Sequence, residues 1–100
     1  MRKLNRRILC ADGFSMSVQA GKESYCTPRA NNAAAYTEVE IGFPNSQEDL
    51  LMRYAEDINS PTGTVYGYVP AQVVINVLVK HGGIVDGELP PGIPYIGVQE

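Results

Sequence analysis

A chain of 100 residues, 44% hydrophobic and 19% charged, is one domain able to bury a single core, and no run in it approaches the ~18 apolar residues of a membrane span. Its net charge of −3 is unevenly placed: Arg2, Lys3, Arg6 and Arg7 are half of the eight basic residues, and the remaining four share the rest of the chain with all eleven acidic ones. An acidic body excludes nucleic acid as the main ligand, because phosphate contacts need Lys and Arg.

Residues 1–7 read as a basic flexible tail, 8–88 as one domain and 89–100 as a Pro-rich C-terminal arm. The basic start followed by Ile8-Leu9-Cys10-Ala11 imitates a signal peptide for four residues, but Asp12 interrupts it and no apolar region follows. The expected compartment is the cytoplasm. Two cysteines, Cys10 and Cys26, are too few for a disulfide framework.

The span 8–11 is a short strand, and Asp12-Gly13 is a turn signal. Phe14, Met16, Val18 and Ala20 then alternate with Ser15, Ser17 and Gln19, which predicts a half-buried strand and a two-residue hairpin. Tyr25-Cys26-Thr27 is a further short strand, ended by Pro28. The span 29–35 is a loop, since Asn31-Asn32 favours a turn despite the flanking alanines. From 36 to 43 a second clear strand is expected, with Thr37, Val39, Ile41 and Phe43 inward and Tyr36, Glu38 and Glu40 outward.

Ser46 has the chemistry of an N-cap, with Glu48 and Asp49 in the first turn after it. A short helix over about 47–55 follows, with Leu50, Leu51 and Tyr54 on one face. The residues 64–70 are a strand in which Val65 and Val69 share one face and Tyr66 and Tyr68 the other. Gly67 between the tyrosines marks a bulge, a bend or the close approach of another backbone. Pro70 stops that strand and suits the first turn of a helix.

That helix, about 70–82, carries an apolar stripe of Val73, Val74, Val77 and Leu78, widened by Ile75 and Val79. Lys80 and His81 complement its C-terminal dipole, and Gly82-Gly83 end it. Its valines have poor helix propensity, so it needs a sheet to lie on. Ile84-Val85 is a last short strand. Leu89, Ile93, Tyr95 and Ile96 are the residues that would dock the arm. The fold class is therefore α+β: an antiparallel sheet of four or five strands with the main helix packed on one face.

Few catalytic arrangements are open. Cys10, Asp12, Cys26 and His81 could be imagined as a metal site, but there is no Cys-x-x-Cys and only one histidine. No metal and no cofactor are expected. Cys26 beside Arg29 could be activated and paired with His81 in a thiol enzyme, while a buried cysteine and a capping histidine explain the same residues more simply. Glu38 and Glu40 lie two apart on one strand face, as an acid–base pair could and as any solvated strand face does. Hence no catalytic residue is assigned, and the protein is expected not to be an enzyme.

Two binding arrangements remain. Tyr36, Glu38, Glu40, Glu48, Asp49, Glu56, Asp57, Tyr66 and Tyr68 would form an acidic, tyrosine-bearing surface if the fold brings them together, suited to a basic protein groove. Alternatively, Arg29, Asn31, Asn32, Tyr36 and Tyr68 have the chemistry to hold a nucleotide-like ligand, for instance as a dimer that captures a nucleotide signal between subunits.

The stretches 10–20 (Cys-Ala-Asp-Gly-Phe-Ser-Met-Ser-Val-Gln-Ala), 25–29 (Tyr-Cys-Thr-Pro-Arg), 40–44 (Glu-Ile-Gly-Phe-Pro), 54–57 (Tyr-Ala-Glu-Asp) and 61–70 (Pro-Thr-Gly-Thr-Val-Tyr-Gly-Tyr-Val-Pro) resemble small proteins of tailed phages and prophages, over most of the chain from Cys10 to Ile84. The resemblance implies a setting, the bacterial host cytoplasm, and an accessory role in infection. Small acidic phage proteins that block host defence, anti-CRISPR proteins among them, fit that setting. It carries over no catalytic or binding residue.

Overall fold

The computed structural model describes residues 4–98. Five strands, β1 (Ile8–Cys10), β2 (Ser15–Gln19), β3 (Glu38–Gly42), β4 (Val65–Pro70) and β5 (Ile84–Asp86), form one open sheet in the order β4-β3-β2-β1-β5. Every neighbouring pair is antiparallel. The fold is α+β. The single α-helix among the described residues, α1 (Ala71–Lys80), leaves one edge strand and returns the chain to the other, so it must cross the sheet.

Alternation in β2 is as the sequence predicts: Met16 and Val18 are buried, and Ser15, Ser17 and Gln19 are half-exposed. With Ile8, Cys10, Val39, Ile41, Tyr66 and Val69 they meet Val74, Val77 and Leu78 of α1 in one core. Burial of the three helix side chains stabilises by roughly 1.5–3 kcal/mol each, which outweighs a propensity deficit of a few tenths per valine. Val79 lies outside the stripe, 61% exposed. Pro70 precedes the helix, and the Ala71 amide donates to the Thr37 carbonyl. At the other end Gly82 and Gly83 take φ of 88° and 91°, and the Gly83 amide closes on the Leu78 carbonyl. That is the αL exit expected of paired glycines.

Several local expectations are corrected. The β1–β2 loop is longer than two residues, because the Asp12 carboxylate accepts from the Phe14 amide and the Cys10 amide donates to the Phe14 carbonyl. The span 47–55 is not an α-helix. Leu51, Met52, Tyr54 and Ala55 each donate three residues back, giving successive turns and one short 3-10 segment, Met52–Tyr54. Glu48 is drawn inward at the start of this span, and Ala55 and Glu56 pair with β4 at its end, so no α-helical run can develop. Phe43 does not face inward; it takes φ of 49° and is exposed. Thr37 is likewise exposed, and Tyr36 is buried rather than outward.

Residues 1–3 of the expected basic tail lie outside the described residues. The rest of it is held: Asn5 bonds Gln19 and Val18, Arg6 pairs with Asp86 and Glu88, and Arg7 donates to Ser15 and to the Phe43 carbonyl. The C-terminal arm packs through Ile93 with Leu89 and Ile96, whereas Tyr95 stays exposed. No helix among the described residues is long and apolar enough to cross a membrane.

Candidate functional site

Strand β4 carries the feature that builds the site. Val39 pairs with Val69 and Ile41 with Tyr66, so β4 holds one residue more than β3 across the same stretch. This bulge undoes the simple alternation. Tyr66 and Val69 both point into the core, while Tyr68 takes φ of 53° and turns out. A non-glycine residue in the left-handed region costs free energy that the surroundings must offset. Here Tyr25 supplies them: its carbonyl accepts from the Tyr68 amide, and a Cβ at Gly67 would come within 3.2 Å of the Tyr25 Cβ. Gly67 thus permits a close approach of the Tyr25 side chain, a contact that a Cβ would crowd.

The outcome is a surface cluster. The Tyr25 and Tyr68 rings lie 6.0 Å apart, tilted by 41°, and both are about 40% exposed. The Arg29 guanidinium sits 5.5 Å from the centre of the Tyr25 ring, a cation–π distance. Beneath them, Glu40 accepts from the Tyr25 amide at 3.0 Å, and Glu38 accepts from the Thr27 hydroxyl at 2.6 Å. Each carboxylate keeps one oxygen, Oε1 of Glu40 and Oε2 of Glu38, without a partner among the described residues, and Arg29 has no ion pair there.

Of the expected acidic surface, Glu38, Glu40 and Tyr68 thus come together, and Arg29 joins them from the other set. The remainder does not. Tyr36 and Tyr66 are buried, their hydroxyls donating to the carbonyls of Ala30 and Pro61, and burial raises the Tyr66 pKa. Asp49, Glu56 and Asp57 are exposed, but Glu56 pairs along the outer edge of β4, away from the sheet face. Tyr25 was missed because alternation in 25–27 marks only which side it faces; its meeting with Tyr68 depends on the bulge.

Glu48 is the largest correction. It is buried, with Oε1 2.6 Å from His81 Nε2 and Oε2 3.0 Å from Lys80 Nζ, and it accepts from the Leu50 amide. The other ring nitrogen of His81, Nδ1, lies 2.6 Å from Asp12 Oδ2, and Phe14 stacks on the ring at 4.1 Å. In its protonated form the imidazole donates to both carboxylates. Burial would raise the Glu48 pKa, but the Leu50 amide, His81 and Lys80 together hold it below 4.5. The Phe14 amide, then His81, lower that of Asp12. The network ties the helix end to the β1–β2 loop and the 46–51 turn.

This arrangement removes the thiol dyad, since both nitrogens of His81 are engaged by carboxylates. Cys26 is buried, its Sγ donating to the Gly21 carbonyl and accepting from the Gly21 amide. Burial, with Asp12 nearby, pushes the Cys10 thiol up to about 11. Neither cysteine is expected to be alkylated by iodoacetamide at pH 8 until the protein unfolds, which mass measurement with and without denaturant would check. Among the described residues no cluster of His, Cys, Asp and Glu could hold a metal ion.

The chain matches no family model, no curated protein and no solved structure.

Proposed function

We propose that the protein acts by stoichiometric binding, presenting Tyr25 and Tyr68 with Glu38, Glu40 and Arg29 to a basic surface of another protein. One observation carries this: two exposed phenol rings stand on a backbone held by the Tyr68–Tyr25 hydrogen bond, beside carboxylate oxygens with no partner among the described residues. Aromatic side chains and Arg are the residues that most often anchor interfaces. A pre-ordered cluster loses little conformational freedom on binding. In the setting implied by the phage and prophage resemblance, the partner is a bacterial host protein in the cytoplasm. The effect there is inhibition of a host defence, CRISPR-type effectors being an example with basic grooves.

Tyr68→Ala is expected to weaken the complex by about 30-fold or more, the loss of one interfacial anchor. Glu40→Lys is expected to slow association and to change its salt dependence. Surface plasmon resonance against the host protein recovered by pull-down measures both. Unchanged affinity in the two variants would remove the proposal.

A further inference from the structure

A second feature lies apart from the tyrosine cluster. A cleft of about 620 Å³ opens between the 20–36 loop and the C-terminal arm, lined by Lys22, Asn31, Asn32, Tyr36, Pro90 and Pro91. Its size is that of small-molecule sites, which run to about 300–1,000 Å³. Its walls are fixed by contacts made within the chain. The Tyr36 amide donates to the Pro91 carbonyl, and a Cβ at Gly92 (φ 98°) would lie 2.5 Å from the Tyr36 carbonyl oxygen, so only glycine lets the arm press there. Across the cleft, the Lys22 amide donates to Asn31 Oδ1, and the Tyr36 hydroxyl is held by Ala30 and Ala33.

The groups that could meet a ligand are, by contrast, uncommitted. Among the described residues the Lys22 ammonium, the Asn31 Nδ2 and the Asn32 side-chain amide have no partner. Asn32 is presented from a left-handed backbone, φ 57°. Among the described residues Lys22 is the one cation lining the cleft, beside Glu23; the cation suits one anionic group, and the carboxylate opposes a polyphosphate. Two amides without a partner among the described residues match the edge of a planar hydrogen-bonding group, and the prolines offer an apolar wall. Glu23 can accept from hydroxyls.

We propose that this cleft binds a nucleoside monophosphate, its phosphate on Lys22, its base edge on Asn31 and Asn32, and its ribose hydroxyls toward Glu23. Of the residues considered for a nucleotide from the sequence, Asn31, Asn32 and Tyr36 line it; Arg29 and Tyr68 belong to the surface cluster instead.

Isothermal titration of the full chain with AMP, GMP, CMP and UMP, with the matching nucleosides and with inorganic phosphate, tests it. One-to-one binding of at least one monophosphate is expected, more than about tenfold weaker for its nucleoside and for phosphate alone. Lys22→Glu should weaken it by about tenfold or more, the loss of a charge-assisted contact, and Asn32→Gly, which keeps the backbone conformation, should also weaken it. Tyr68→Ala should leave it unchanged, which separates this site from the protein-binding cluster. The Lys22 side chain has no partner among the described residues, so its replacement should not disturb the fold, as a melting curve will verify. No heat from any monophosphate, affinity unaltered by Lys22→Glu, or phosphate binding as tightly as the nucleotide would each overturn the proposal.

Discussion

Glu48→Ala is expected to destabilise the protein by about 3 kcal/mol, the lower end of the range for breaking a buried ion pair. For a chain of this size that is a fall in melting temperature of more than about 10 °C. The variant strips the Leu50 amide of its acceptor, leaves Lys80 and His81 facing a cavity and loosens the helix end from the 46–51 turn. Glu48→Gln keeps an acceptor for Leu50 and should lose less. Lys80→Ala should cost under about 1 kcal/mol, because that side chain is half exposed. The pH dependence follows from the same carboxylates. Glu48 and Asp12 both have folded pKa values below their ordinary 4.5 and 3.8. A depressed carboxylate contributes stability that is present above its unfolded pKa and lost as pH falls through the folded one. Wild-type protein should therefore lose stability progressively below about pH 4.5, and Glu48→Ala should flatten that acid limb. Urea titrations from pH 7 to pH 3 measure both; an equally steep acid limb in the variant would assign the pH dependence to other groups.

Tyr66→Ala and Tyr68→Ala, two residues apart, are expected to behave oppositely. Tyr66 is fully buried between the sheet and the Pro61 carbonyl, and truncating a large buried aromatic side chain costs about 3–5 kcal/mol. Tyr68 is exposed and, among the described residues, is held through its backbone and the Tyr25 ring, so its loss should change stability by about 0.5 kcal/mol or less while weakening partner binding. Chemical denaturation of both variants separates core from surface. Equal, small effects would mean that β4 runs with simple alternation and that the surface cluster has to be redrawn. Tyr66→Phe, which removes only the hydrogen bond to Pro61, should cost about 1 kcal/mol.

The helix was legible because its signals are local. Pro70, the stripe Val74, Val77 and Leu78, and Gly82-Gly83 lie within fourteen residues, and each acts through its own backbone geometry or a single face. The strands with strict alternation, β2 above all, were legible for the same reason. A period of two, however, predicts faces only while the pairing stays in register. In β4 the bulge inserts one residue between Tyr66 and Val69, which brings Val69 to the core side with Tyr66 and leaves Tyr68 exposed.

The composition of the sites followed the same division. Residue types for a charged aromatic patch were visible in the chain, as were Asn31 and Asn32 for a ligand. Which of them meet depended on contacts far apart in sequence: Tyr25 with Tyr68, and the arm at Pro91 and Gly92 with Tyr36. Glu48 shows the limit most plainly. Locally it is a helix-starting acid, and by charge alone a surface residue. Only the crossing of α1 over the sheet brings Lys80 and His81 to it across more than thirty residues, and a carboxylate can leave water only where such partners are waiting. Sequence by itself determined where the main helix starts, where it ends and which of its faces is apolar, since these depend on neighbouring residues. Tertiary structure alone decided which charges are buried and which tyrosines are offered to a partner, because both depend on what the other end of the chain brings.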